Sequence, residues 1–140
     1  MFLFRSPSPR QLSFGLVLLR IGVGIIFALH GQQKLFGMGF SGVSDAFSHM
    51  GVPMPGIMGP FVALLEFFGG IALILGLLTR LVSLGFAIDM LVAILLVKLK
   101  SGFSHYELEF LLCMSSAALL FMGGGEFAID ALLSRRKAKA

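Results

Sequence analysis

Residues 12–30 read LSFGLVLLRIGVGIIFALH. As a helix rising about 1.5 Å per residue, the stretch is long enough to cross the ~30 Å hydrocarbon layer of a bilayer. One charge, Arg20, interrupts it near the middle. A secretory leader is not expected, because its apolar core would be broken by Arg20 and no small-x-small cleavage site follows. The stretch reads as a membrane-spanning helix that keeps a charge inside the bilayer, which raises the question of what partners Arg20.

Composition agrees. Of the 140 residues, 57% are of apolar types and only 13% are charged, too little polar surface for a water-soluble domain of this size. Four apolar segments emerge, near 12–30, 57–78, 81–97 and 107–124, with a basic tail at 131–140. The expected fold is all-α, a single integral membrane domain of four transmembrane helices. Little more than Thr79 and Arg80 separates the second span from the third, which predicts an antiparallel helical hairpin. Arg5, Arg10, Arg80, Arg135, Arg136, Lys137 and Lys139 fall on one side of such a bundle. Lys34, Lys98 and Lys100 fall on the other. The excess of positive charge predicts that both termini are cytoplasmic. In the first outer loop, Ser41 could cap a short interfacial helix carrying Val43, Ala46, Phe47 and Met50 at helical spacing.

The net charge of +4 has no aromatic-interleaved basic patch behind it, so nucleic acid is not an expected partner. The single cysteine, Cys113, excludes an internal disulfide, a CxxC redox pair and a thiolate metal cluster within one chain. No metal is expected. His30 and His105 each end a span on the outer side, but no second matched pair accompanies them, so haem is not expected either.

Three charges stand near mid-span: Arg20, Glu66 and Asp89. Unpaired, they would cost on the order of 10 kcal/mol together. Helical spacing puts each on a stripe of small residues: Arg20 with Gly24 and Gly31, Glu66 with Gly59 and Gly70, Asp89 with Gly85 and Ala93. Small residues let helices approach closely in lipid. The three charges are therefore expected to face inward and meet as one ligand or proton site, with the arginine fork taking one or both carboxylates. One arginine against two carboxylates leaves negative charge to be relieved by protonation, water or a bound ligand. The same cluster could equally serve only to lock three helices in register. A second polar group, His30, Lys34 and Glu109, is expected at the outer mouth. Lys34 continues the Arg20 face if the first helix runs on.

The order and spacing of several short motifs add a resemblance. LLRIGVGIIFALHGQQKLFG at 18–37, MGVPMPG at 50–56, LLEFFGGIALILGLLTR at 64–80, DMLVAILLVK at 89–98 and GGGEFAID at 123–130 together resemble the DoxX family of small four-span bacterial membrane proteins. Glu126 stands where that family's closing motif usually carries a basic residue. Asp130 matches its closing aspartate. The resemblance implies a multi-pass protein of the bacterial cytoplasmic membrane. It also implies a quinone-linked, redox or oxidative-stress-associated role, as the membrane subunit of an oxidoreductase with a separate redox partner. With no dithiol, metal or flavin motif, the chain is not a complete oxidoreductase, and quinone is the one cofactor to expect. The alternatives are an assembly subunit without chemistry of its own and a small proton or solute transporter. Small residues at Gly69, Gly70, Ala72 and Gly76 on more than one face allow a homodimer.

Overall fold

The computed structural model describes residues 2–139. Those residues form helices joined by short turns, with no strand. The helices are α1 (Pro9–Gln32), α2 (Gly39–His49), α3 (Pro55–Leu75), α4 (Thr79–Val92), α5 (Glu107–Met122) and α6 (Ile129–Lys137). Two π-helical turns extend them, Gln33–Met38 between α1 and α2 and Ala93–Lys98 after α4. Three helical stretches are long and apolar enough to cross a membrane: Pro9–His49, Pro55–Leu75 and Thr79–Ser101. α5, with 16 residues, packs along α4.

Local chemistry explains the boundaries. Ser8 caps α1 in a reciprocal box with Gln11, and Pro9 occupies the first turn where its missing N–H is not needed. α3 closes in a Schellman ending. Gly76 adopts φ +73°, and Leu77 N donates to Ala72 O at 2.8 Å. The link to α4 is therefore Gly76–Leu78, and Thr79 already belongs to α4. The hairpin is present, but its turn lies earlier than the sequence pattern suggested. The helix expected at the interface, α2, also starts earlier than Ser41, at Gly39, and has no side-chain cap. Its apolar face is as expected, with Val43 buried against α3.

α1 packs chiefly on α3, and α4 on α5. The α1–α3 contact is almost backbone on backbone. A Cβ on Gly31 would lie 2.2 Å from Phe67 N, and one on Gly70 would lie 2.5 Å from Ala28 N. Those glycines let the two helices touch and fix their register. The core between the two pairs is built from Val23, Phe27, Leu73, Val82, Phe86, Met90, Leu112 and Leu119. Phe27 and Phe86 stack with centroids 3.7 Å apart.

The GGGEFAID segment folds under the bundle. Ala128 is buried against Gly76 and Gly124. The Asp130 carboxylate accepts hydrogen bonds from Leu78 N and Thr79 N, both at 2.8 Å. It thus supplies the start of α4 with the cap that its own neighbours lack. The basic tail continues as α6.

Candidate functional site

The glycine register decides which charges meet. Because Gly31 lies over Phe67, the residue one turn beyond Gly31 faces Glu66. That residue is Lys34, on the first π-helical turn, and its ammonium forms an ion pair with the Glu66 carboxylate. Glu66 is 3% exposed and Lys34 24%, so the pair is largely out of solvent. Asp89 on α4 stands beside them, with Glu66 and Lys34 as its charged neighbours. Its Oδ2 is buried and has no hydrogen-bond partner.

Arg20 does not join this cluster. It lies some eleven residues below Gly31, about 16 Å along α1, and its guanidinium reaches the end of α3. There Nη1 donates to Leu73 O and Ile74 O, each at 3.4 Å. It fills the space that a side chain at position 76 would occupy, since a Cβ on Gly76 would lie 2.0 Å from Nη1. Asp130 is the counter-charge that acts on it. The expected Arg20–Glu66–Asp89 triad is corrected to Lys34–Glu66–Asp89, with Arg20 as a cation on the C-terminal dipole of α3. The cause is register. Equal distance from the span ends does not mean equal depth when glycine contacts set the offset.

Lys34, Glu66 and Asp89 face a cavity of about 650 Å³ between α3 and α4. Its walls are apolar, including Phe61, Leu65, Leu84, Ile88 and Met90. Phe61, Leu84 and Ile88 are also exposed on the outside of the helices, so the cavity opens sideways between them. Phe47 and Met50 of the α2 region cover one end. His30 lies on the wall. At the far rim, Glu109 pairs with Lys98 of the second π-helical turn. His30, Lys34 and Glu109, the residues expected at an outer mouth, thus share one cavity with Glu66 and Asp89. His105 is not among the lining residues. Among the described residues, no His, Cys, Asp and Glu side chains group as metal ligands.

Both lysines of the cavity's ion pairs sit on π-helical turns, a local widening that is frequent at functional sites. Sequence pattern had marked Lys34 and Glu109 but not Lys98 as a partner. The spacing of eleven between Lys98 and Glu109 crosses a turn and carries no helical-face signal.

The family model named DoxX matches residues 15–99. The chain belongs to the DoxX family. It is 35% identical over 129 residues to "Putative oxidoreductase CatD" of Bacillus subtilis (strain 168), covering 91% of this chain and 93% of that protein. Inner membrane protein YqjF of Escherichia coli (strain K12) is 35% identical over 126 residues, covering 87% and 94%. The membrane protein Rv3486 of Mycobacterium tuberculosis is 28% identical over 134 residues, covering 86% and 82%. No solved structure matches. The DoxX match runs from α1 to the second π-helical turn, so it contains Lys34, Glu66, Asp89 and Lys98. The closing Asp130, which caps α4, lies outside it.

Proposed function

We propose that this DoxX protein binds a lipid-soluble quinone in the α3–α4 cavity, as the membrane subunit of a redox system whose electron donor is a separate protein. The observation that carries the reading is a laterally open apolar cavity with one buried acid–base group in its wall. A volume of about 650 Å³ is of the size that holds a ring and the first part of an apolar tail. The Lys34 ammonium can donate to a quinone carbonyl. Asp89, with a free carboxyl oxygen, and Glu66 can hold or pass the protons. Reduction of a quinone to a quinol takes two electrons from the donor protein and two protons from this polar wall. The oxidoreductase name of the Bacillus relative supports the redox setting.

The same reading completes the topology. α5, with its flanks, serves as a fourth span, and both termini lie in the cytoplasm of the bacterial inner membrane. The asymmetry of Lys and Arg and the printed name of the Escherichia relative support this.

The test is equilibrium binding of a radiolabelled short-tail quinone to the purified chain in lipid vesicles. Saturable binding is expected. Lys34→Gln and Asp89→Asn should each weaken it about tenfold, as loss of one charged hydrogen bond does. Binding that does not saturate, or that neither variant changes, would overturn the proposal.

A further inference from the structure

Below the cavity, the core contains polar groups that the quinone site does not use. The side chains of Thr79, Ser83 and Ser116 are fully buried, and Arg20 is 2% exposed. Thr79 Oγ1, Ser83 Oγ, Ser116 Oγ and Arg20 Nε have no hydrogen-bond partner in the protein. Buried polar atoms are satisfied by protein or by ordered water in nearly all folded proteins. Four unsatisfied atoms in a core otherwise made of Val, Leu, Phe, Met and Cys are a concentration of need.

Contacts place them in layers. Thr79 meets Gly124, and Cys113 Sγ donates to Ala87 O at 3.5 Å. Those two points bracket the antiparallel α4–α5 pair and put Ser83 within about one helical turn of the level of Ser116. Arg20 reaches Gly76, three residues before Thr79, so Arg20 and Thr79 share the basal layer. The Phe27–Phe86 stack forms the next layer above the serines. Asp89, six residues after Ser83, stands about 9 Å above it. From base to cavity the order is Asp130 at the surface, Arg20 and Thr79, then Ser83 and Ser116, then the phenylalanine stack, then Asp89.

We propose that these hydroxyls hold a buried column of water that connects the basal surface to Asp89, with the Phe27–Phe86 stack as its gate. A proton entering beside Asp130 moves upward by transfer from water to hydroxyl to water. Each hydroxyl oxygen accepts one proton and releases its own, so it ends neutral. When the two rings part, the last water gives its proton to the Asp89 carboxylate. The inference deepens the quinone reading, because it names the side from which the site's protons come.

The test needs no quinone, so its failure is separate from failure of quinone binding. Full-length protein is reconstituted in vesicles containing a pH-sensitive dye, and a pH step is applied outside. The unmodified protein is expected to be tight. Phe86→Ala should open the gate and raise the proton leak several-fold. Adding Ser83→Ala with Ser116→Ala, or Asp89→Asn, should return the leak to baseline. Absence of a leak in folded Phe86→Ala, or a leak that survives both additions, would overturn the proposal. If Phe86→Ala does not fold, X-ray hydroxyl-radical footprinting of the unmodified protein in lipid vesicles replaces it. Oxidation at the buried Phe86 at least equal to that at the outward-facing Phe121 is expected, and lower oxidation at Phe86 would refute the column.

Discussion

Replacing Gly31 by Ala adds one methyl group to a site with no room for it. The new Cβ would lie 2.2 Å from Phe67 N, 2.6 Å from Phe67 Cα and 2.7 Å from Phe67 Cβ. The first two are backbone atoms, so no side chain can turn aside. The helices must part by roughly 1 Å to restore ordinary contact. That separation also loosens the Gly70–Ala28 and Gly24–Gly70 approaches and draws Lys34 away from Glu66. Overpacking of this kind costs about 1–3 kcal/mol, and the site's rigidity places it at the upper end. Ala recovers up to about 1 kcal/mol through its better helix propensity, leaving a net loss of about 2 kcal/mol. Gly22→Ala is the control. It lies on the same helix with nothing within 4 Å of the added atom, so only the propensity gain remains. Reversible unfolding in mixed detergent micelles, followed by circular dichroism, measures both. Equal stability of the two variants would refute the claim that backbone contact at Gly31 sets the α1–α3 register.

Asp130→Ala removes two 2.8 Å hydrogen bonds from the start of α4 and should lower stability by about 2 kcal/mol in the same assay, with Asp130→Asn intermediate. Leu78 holds φ +51°, a left-handed conformation that costs a side-chain-bearing residue about 1 kcal/mol. Leu78→Gly should therefore unfold at equal or higher detergent denaturant than the unmodified chain. Lys34→Met leaves the Glu66 carboxylate buried without its partner and should cost about 3 kcal/mol. Lys98→Met should cost under about 1 kcal/mol, because Lys98 is 39% exposed and solvent screens its pair with Glu109.

Much of the fold was legible in the chain. Apolar runs located α1, α3, α4 and α5 to within a few residues, because a bilayer demands a minimum length of uninterrupted apolar helix. The Gly24–Gly31 and Gly59–Gly70 stripes were correctly read as contact faces, since small residues have no other advantage in lipid. Val43, Ala46 and Phe47 marked the inner side of α2 by spacing alone. The site was legible in its members but not in its pairing. Glu66 and Asp89 were placed together correctly. Arg20 was not, because its depth depends on how α1 slides against α3, and that offset is set by which glycine meets which backbone. Periodicity along one helix contains no information on it. Lys34 took the place of Arg20 because the helix continues through a π-helical turn that no residue pattern announces. The cap from Asp130 to α4 joins residues more than fifty positions apart and was visible only as a motif.

The central claim is that Lys34, Glu66 and Asp89 form one polar wall of a quinone cavity between α3 and α4. The most direct measurement is the map of adducts formed by a photoreactive quinone on the reconstituted protein, read by mass spectrometry. The account predicts adducts at Phe61, Leu65, Leu84 or Ile88, lost when unlabelled quinone is added. Adducts confined to the outer face of α5 or to the surroundings of Arg20, with those four residues unlabelled, would contradict it.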